Sequence, residues 1–138
     1  MRLLLAILLF VATTFAFSET YIQLNGASIH DRPGFNSANY GAGIEQKLSE
    51  DWNVAVGAYK NSEYNASAYG YARYRLYENG PWNIGVGLGA VTGYSQASVL
   101  PMAFPEVCYD YLCALYIPQV NANGANALGF HLKIPVNQ

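Results

Sequence analysis

Charge is what this sequence has least of. Acidic and basic side chains together make up 12% of its 138 residues, about half the share usual in soluble domains. The formal net charge is −2 and no cluster of Lys or Arg occurs, so the electrostatic footprint of a nucleic-acid-binding protein is missing. Long apolar runs are scarce as well. Beyond the first eighteen residues nothing approaches the ~20 consecutive apolar residues that a membrane helix needs, which excludes helical spans there. Cysteine is limited to Cys108 and Cys113, and histidine to His30 and His131. Their spacing matches no zinc motif, so no metal is expected, and no other cofactor is implied.

The one apolar run lies at the start. Met1-Arg2 is followed by Leu3 to Phe10, and Ala16-Phe17-Ser18 offers small residues for cleavage. This reads as a secretory signal peptide over 1–18, leaving 19–138 as a single domain. That remainder is rich in tyrosine and glycine, and 52% of the whole chain is hydrophobic. Few charges and abundant aromatics without a long apolar run fit a transmembrane β-barrel, whose apolar residues are spread over alternating strands. The expected location is the outer membrane of a Gram-negative cell.

Alternation and turn residues mark eight strands. They are Thr20 to Ile29, Asn39 to Leu48, Trp52 to Lys60, Ala66 to Tyr77, Trp82 to Val91, Pro105 to Tyr109, Leu112 to Ile117 and Ala125 to Ile134. Connections at Ser49–Asp51, Glu78–Pro81 and Asp110-Tyr111 are short. Those at His30, Asn61, Thr92 to Phe104 and Pro118 are mostly longer. Short turns at one end and longer loops at the other are the pattern of an eight-stranded antiparallel outer-membrane barrel. Tyr40, Tyr64, Tyr69, Tyr77, Trp52 and Trp82 fall near strand ends, where aromatic girdles sit.

The fifth strand is the most regular. Ile84, Val86, Leu88 and Ala90 alternate with Gly85, Gly87 and Gly89. A glycine row on one face signals space or close approach. Two readings follow: a hollow lumen, or a packed one in which glycine admits large neighbours. Glu45 falls on the lumen side, where it could pair. Arg73 and Arg75 read as interfacial anchors, and His131 as a lumen or girdle residue. Cys108 and Cys113 flank a tight turn and would meet an oxidising compartment after export. They could form a disulfide or remain two thiols.

His30, Asn61 and Ser62 are the one grouping that places a base and a nucleophile at the same, loop, end. A serine hydroxyl needs a base to take its proton, and His serves near neutral pH. Asn61 could orient the imidazole but brings no charge.

Four motifs resemble the PagP family of outer-membrane lipid A palmitoyltransferases. They are SIHDR at the first strand's end, Tyr59-Lys60-Asn61-Ser62 at the third, the return strand AYGYARY, and the proline steps VLP and YIP. The resemblance implies an eight-stranded barrel with a pocket for one acyl chain, a phospholipid donor, a lipid A acceptor and no partner chain. It implies His30 and Ser62 as catalytic residues, with Asn61 where the family has Asp. It implies Gly70 or Ala72 in the acyl-pocket wall, together with the Gly85, Gly87 and Gly89 face. Pro101 and Pro118 would flank gaps where lipid enters. The family's amphipathic helix before the barrel has no counterpart, since Glu19 to Tyr21 already reads as strand. That absence and Asn61 leave an alternative open: a non-catalytic small barrel that binds a lipid or acts through its loops.

Overall fold

The computed structural model of the chain describes residues 19–119 and 124–136. The signal-peptide reading of 1–18 lies outside the described residues. The strands are β1 (Thr20–His30), β2 (Ala38–Lys47), β3 (Trp52–Lys60), β4 (Ala66–Asn79), β5 (Trp82–Thr92), β6 (Val99–Tyr109), β7 (Leu112–Ile117) and β8 (Ala127–Pro135). Each pairs antiparallel with its sequence neighbour, and β1 closes on β8. Among the described residues there is no helix.

Period-two alternation sets the faces. Ile22, Leu24, Ile44, Val56, Leu88, Leu128 and Leu132 point outward and are exposed. Their alternates Gln23, Glu45, Ala55, Phe104, His131 and Lys133 are buried in the lumen. At the end with short turns, two aromatic pairs cross strands on the outer surface. Trp52 meets Tyr74 and Trp82 meets Tyr109, each with ring centroids 4.9 Å apart. Tyr69 departs from the girdle reading: it faces the lumen, where its hydroxyl donates to Gln23 Oε1 at 2.7 Å.

The sixth strand is longer than its sequence suggests. It begins at Val99, not Pro105, so the loop before it shrinks to 93–98. Pro101 lies in the stretch expected as loop, and Pro105 at the expected strand start. β6 nevertheless pairs with β5 along its whole length, from Thr92↔Val99 to Trp82↔Tyr109. Against β7 it pairs only from Glu106↔Leu115 to Tyr109↔Leu112. The β7-facing edge of β6 above Glu106 is therefore free among the described residues. A strand edge with no partner is where proline is tolerated, because its missing N–H costs no ladder bond. β7 meanwhile stays with β8 out to Ile117↔Ala127. The barrel thus carries an open half-seam between β6 and β7, at the loop end.

The turn-end half of the lumen is filled by charge. Glu106 takes Arg73 Nε and Lys133 Nζ, both at 2.6 Å, and faces His131 Nε2 at 3.1 Å. Glu45 takes Lys133 at 3.0 Å, Gln23 Nε2 at 2.7 Å and Asn53 Nδ2 at 2.6 Å. Glu45 pairs inside the lumen, as its position on the glycine face suggests. Arg73 is not an interfacial anchor but a buried member of this cluster. Arg75 does lie at the turn end, with Asp51 and Glu78.

Glycine makes this filling feasible. A methyl at Gly85 would come 2.7 Å from the Arg73 guanidinium carbon, and one at Gly87 would collide with the Phe104 ring. A methyl at Gly89 would lie inside van der Waals distance of the Gly70 carbonyl oxygen. Gly43 and Gly57 likewise make room for Tyr69. Of the two readings of the glycine row, packing against large neighbours describes Gly85 and Gly87, and close approach of the β4 backbone describes Gly89.

Candidate functional site

Above the charged layer the lumen opens into a cavity of about 250 Å³. Its wall is mainly aromatic and aliphatic and includes Tyr59, Tyr69, Tyr71, Met102, Phe104 and Leu115. Tyr71 and Phe104 meet edge to face at 5.0 Å. They pack with Ala55 as a buried cluster. Several polar groups on the wall pair with one another. Gln23 Nε2 donates to the Tyr71 hydroxyl at 2.6 Å, and the Tyr59 and Tyr94 hydroxyls share a bond of 2.8 Å.

The cavity is blind toward the turn end. Tyr71, Phe104 and His131 form its lower wall. Two residues further along the same strands stand Arg73, Glu106 and Lys133, which are the ion cluster. Sideways the cavity reaches the part of β6 that β7 does not pair. Pro101 and Ala103 belong to the outward-facing set of β6, yet both line it. Ala27 and Phe130, outward on paired strands, line it as well, and Pro101 and Ala103 stand at the unpaired edge of β6. Pro118, past the end of β7, lines the cavity too. The two prolines named for lipid entry thus both border the cavity.

His30, Phe35, Ser62 and Glu63 form the mouth at the loop end. The His30 ring stacks on Phe35, with centroids 5.2 Å apart. Its Nδ1 is buried without a hydrogen-bond partner. His30 and Ser62 share the mouth but are not hydrogen-bonded to each other among the described residues. Catalytic contacts are often loose before substrate binds.

Asn61 has a different task. It is fully buried and does not line the cavity. Its Nδ2 donates to Ser67 Oγ and to the Gly93 carbonyl, both at 2.9 Å. Its Oδ1 accepts from the backbone N–H groups of Glu63 (2.9 Å) and Asn65 (3.0 Å). All of its polar capacity builds the 61–65 loop, leaving none for the imidazole. Such side-chain-to-backbone turns are a standard use of Asn. Tyr64 completes the loop with φ of 65°, an uncommon conformation for a large residue. The result presents Ser62 and Glu63 to the cavity. Glu63, not singled out from the sequence, is the one carboxylate on the cavity wall among the described residues. Ser95 holds it through N–H (2.9 Å) and Oγ (3.0 Å).

A latch extends the β1–β8 seam at the loop end. Asn126 donates to Asp31 through its backbone N–H (3.0 Å) and Nδ2 (2.6 Å), and accepts from Tyr116 Oη at 2.9 Å. These bonds tie the loop after β7 to the loop after β1, on the side away from β6. They also hold the Asp31 carboxyl below its usual range, because hydrogen bonds favour the ionised form.

The remaining expected residues separate. Gly70 and Ala72 lie on the outward face, alternate to Tyr69, Tyr71 and Arg73, and do not reach the cavity. Gly85, Gly87 and Gly89 face inward, but their space is taken as described above. Tyr69, Tyr71 and Phe104 define the cavity instead. Cys108 and Cys113 form a disulfide. No known protein family's sequence model matches the chain, and no curated protein sequence is significantly similar to it.

Proposed function

We propose that this barrel is an outer-membrane acyltransferase that moves a fatty acyl chain from a phospholipid to lipid A or a related lipid. The observation that carries the reading is the cavity: mainly apolar, blind below, open at the loop-end mouth and bordered by the unpaired stretch of the β6–β7 seam. A pore would need a continuous polar path, which the ion cluster interrupts. A receptacle for one chain needs a closed apolar end and an entrance from the bilayer. The exposed aliphatic belt with Trp–Tyr pairs at the turn end supports a membrane setting. The sequence resemblance to PagP enzymes points the same way.

The chemistry requires no cofactor. An acceptor hydroxyl attacks the donor's ester carbonyl and its proton passes to a base. The ester C–O bond breaks, and the proton ends on the donor's freed hydroxyl. His30 at the mouth, with an unpartnered Nδ1, is the base available. Ser62 lies beside the same entrance.

Mass spectrometry of lipid A from cells with and without the protein tests this. One added acyl mass is expected with the wild type, and its loss with Ser62→Ala or His30→Ala. Equal acylation in the variants, or none in the wild type, would refute acyl transfer. One observation favours a second reading. Asn61 is committed to its loop and supplies no charge to His30. On that reading the barrel binds a lipid without turnover, and labelled phospholipid would occupy the cavity while lipid A stays unmodified.

A further inference from the structure

Below the cavity lies a constellation that acyl transfer does not use. Glu106 and Cys108 of β6, Cys113 of β7 and His131 of β8 all point into one layer of the lumen and are buried. The register explains their meeting. Cys113 is the cross-strand partner of both Cys108 and His131, and Glu106 precedes Cys108 on the same face. A Glu106 carboxylate oxygen, Cys113 Sγ and His131 Nε2 lie within 4.8 Å of one another. Cys108 Sγ stands 3.5 Å from Glu106 Oε1. His131 Nε2 and Glu106 Oε2 face each other at 3.1 Å, yet neither makes a hydrogen bond of acceptable geometry. Two buried polar atoms thus aim into the layer without a proper partner. The sulfurs are occupied by their mutual bond.

We propose that reductive opening of the Cys108–Cys113 disulfide turns this layer into a four-donor site for a thiophilic dication such as Zn²⁺. The ligands are Cys108 Sγ, Cys113 Sγ, His131 Nε2 and Glu106 Oε2. A dithiol reductant attacks one sulfur, forms a mixed disulfide and departs as a cyclic disulfide, leaving two protein thiols. Metal binding then expels one proton from each thiol. The donor set of two thiolates, one imidazole and one carboxylate suits zinc. Zinc–ligand distances imply donors about 3.4–3.8 Å apart, so Glu106, Cys113 and His131 draw in by up to about 1 Å while the two sulfurs, freed from their bond, move apart.

Charge makes the site conditional on redox state. Arg73 and Lys133 flank the layer, Arg73 on Glu106 Oε1 and Lys133 between that oxygen and Glu45. With the disulfide closed, these two cations repel a dication. Two thiolates cancel the metal's charge, and Glu106 Oε2 is the carboxylate oxygen that neither cation holds. The paired part of the β6–β7 seam is short, and the disulfide is its covalent tie. Coordination would replace that tie with one joining β6, β7 and β8. The inference does not depend on acyl transfer.

The test uses the mature barrel in detergent micelles, reduced with a water-soluble phosphine that is then removed. Co²⁺ is titrated first and displaced with Zn²⁺. The reduced barrel is expected to bind one equivalent of Co²⁺, with a near-ultraviolet thiolate band and strong visible bands, and the oxidised barrel none. His131→Gln, with both thiols kept, is expected to weaken binding at least tenfold. Equal uptake by the oxidised barrel, no uptake by a reduced barrel that keeps its β-sheet circular dichroism, or unchanged affinity in His131→Gln would each overturn the proposal. If reduction unfolds the barrel, the reduced chain is refolded with Zn²⁺. Recovery of a barrel holding one Zn²⁺ supports the site, and failure to recover, or a zinc-free barrel, overturns it.

Discussion

Consider one methyl group added at either of two glycines on the paired strands β4 and β5. At Gly89 the new Cβ would meet the Gly70 carbonyl oxygen within van der Waals distance and Tyr71 Cα at 2.6 Å. Both are backbone atoms of the neighbouring strand, so no rotamer change relieves the contact and the ladder itself must part. Overpacking of this kind costs about 1–3 kcal/mol. The loss of glycine's freedom in the unfolded chain returns about 0.4–1 kcal/mol. Gly89→Ala should therefore destabilise the barrel by roughly 1–2 kcal/mol. At Gly70 the Cβ would point outward and meet Val56 Cγ1 at 3.7 Å, an ordinary contact. Gly70 does not have positive φ, so Gly70→Ala should be neutral or stabilising by up to ~1 kcal/mol. The two substitutions should differ by about 2 kcal/mol in opposite directions. Equilibrium urea unfolding in micelles, followed by Trp52 and Trp82 fluorescence, resolves that difference. A neutral Gly89→Ala, or a Gly70→Ala that costs as much, would mean that the inward glycines border open space and that the packing argument is wrong.

Three further outcomes follow from the site and its floor. Asn61→Asp should destabilise by about 2–4 kcal/mol in the same urea assay, because a carboxylate would face the Gly93 carbonyl and lose two donated bonds. It should not raise acyl transfer, and a gain in lipid A acylation would refute the loop-building role. Glu106→Gln should cost about 3–5 kcal/mol, since it strips Arg73 and Lys133 of a buried partner; a loss below ~1 kcal/mol would show that water screens the cluster. The Asp31–Asn126 latch should weaken on acidification. Asp31 has a lowered value when folded, so its contribution is complete above the ordinary carboxylate pKa of about 3.9 and fades as pH falls through the lowered value. Amide exchange at Asn126 reads this directly, and a pH-independent rate across that range, or the same pH response in Asp31→Asn, would count against it.

Much of the architecture is legible in the sequence because it is written locally. Ile84, Val86, Leu88 and Ala90 alternating with Gly85, Gly87 and Gly89 identify a strand and its two faces without any partner. Ser49–Asp51, Glu78–Pro81 and Asp110-Tyr111 identify the tight turns by residue type. Eight such segments, with one lipophilic face each, suffice for the strand count. The start of β6 is not legible, because Pro101 reads as loop until the free edge beside it is known. At the candidate site, His30 and Ser62 stand out as residue types, whereas the loop-building use of Asn61 depends on Ser67 and Gly93 reaching it.

What fills the lumen is decided only by closure. A lumen-facing residue is marked by its alternation, but its neighbours across the barrel come from strands far away in sequence. Lys133 meets Glu45 only because β8 lies beside β1 and β1 beside β2. His131 meets Glu106 across the short β7. The glycine rows could line space or admit large side chains, and the sequence alone allows both. Arg73, Tyr71 and Phe104 settle it residue by residue, packing the turn end and leaving the loop end hollow. Strand identity rests on a local two-residue period, while occupancy of the lumen rests on which side chains closure brings face to face.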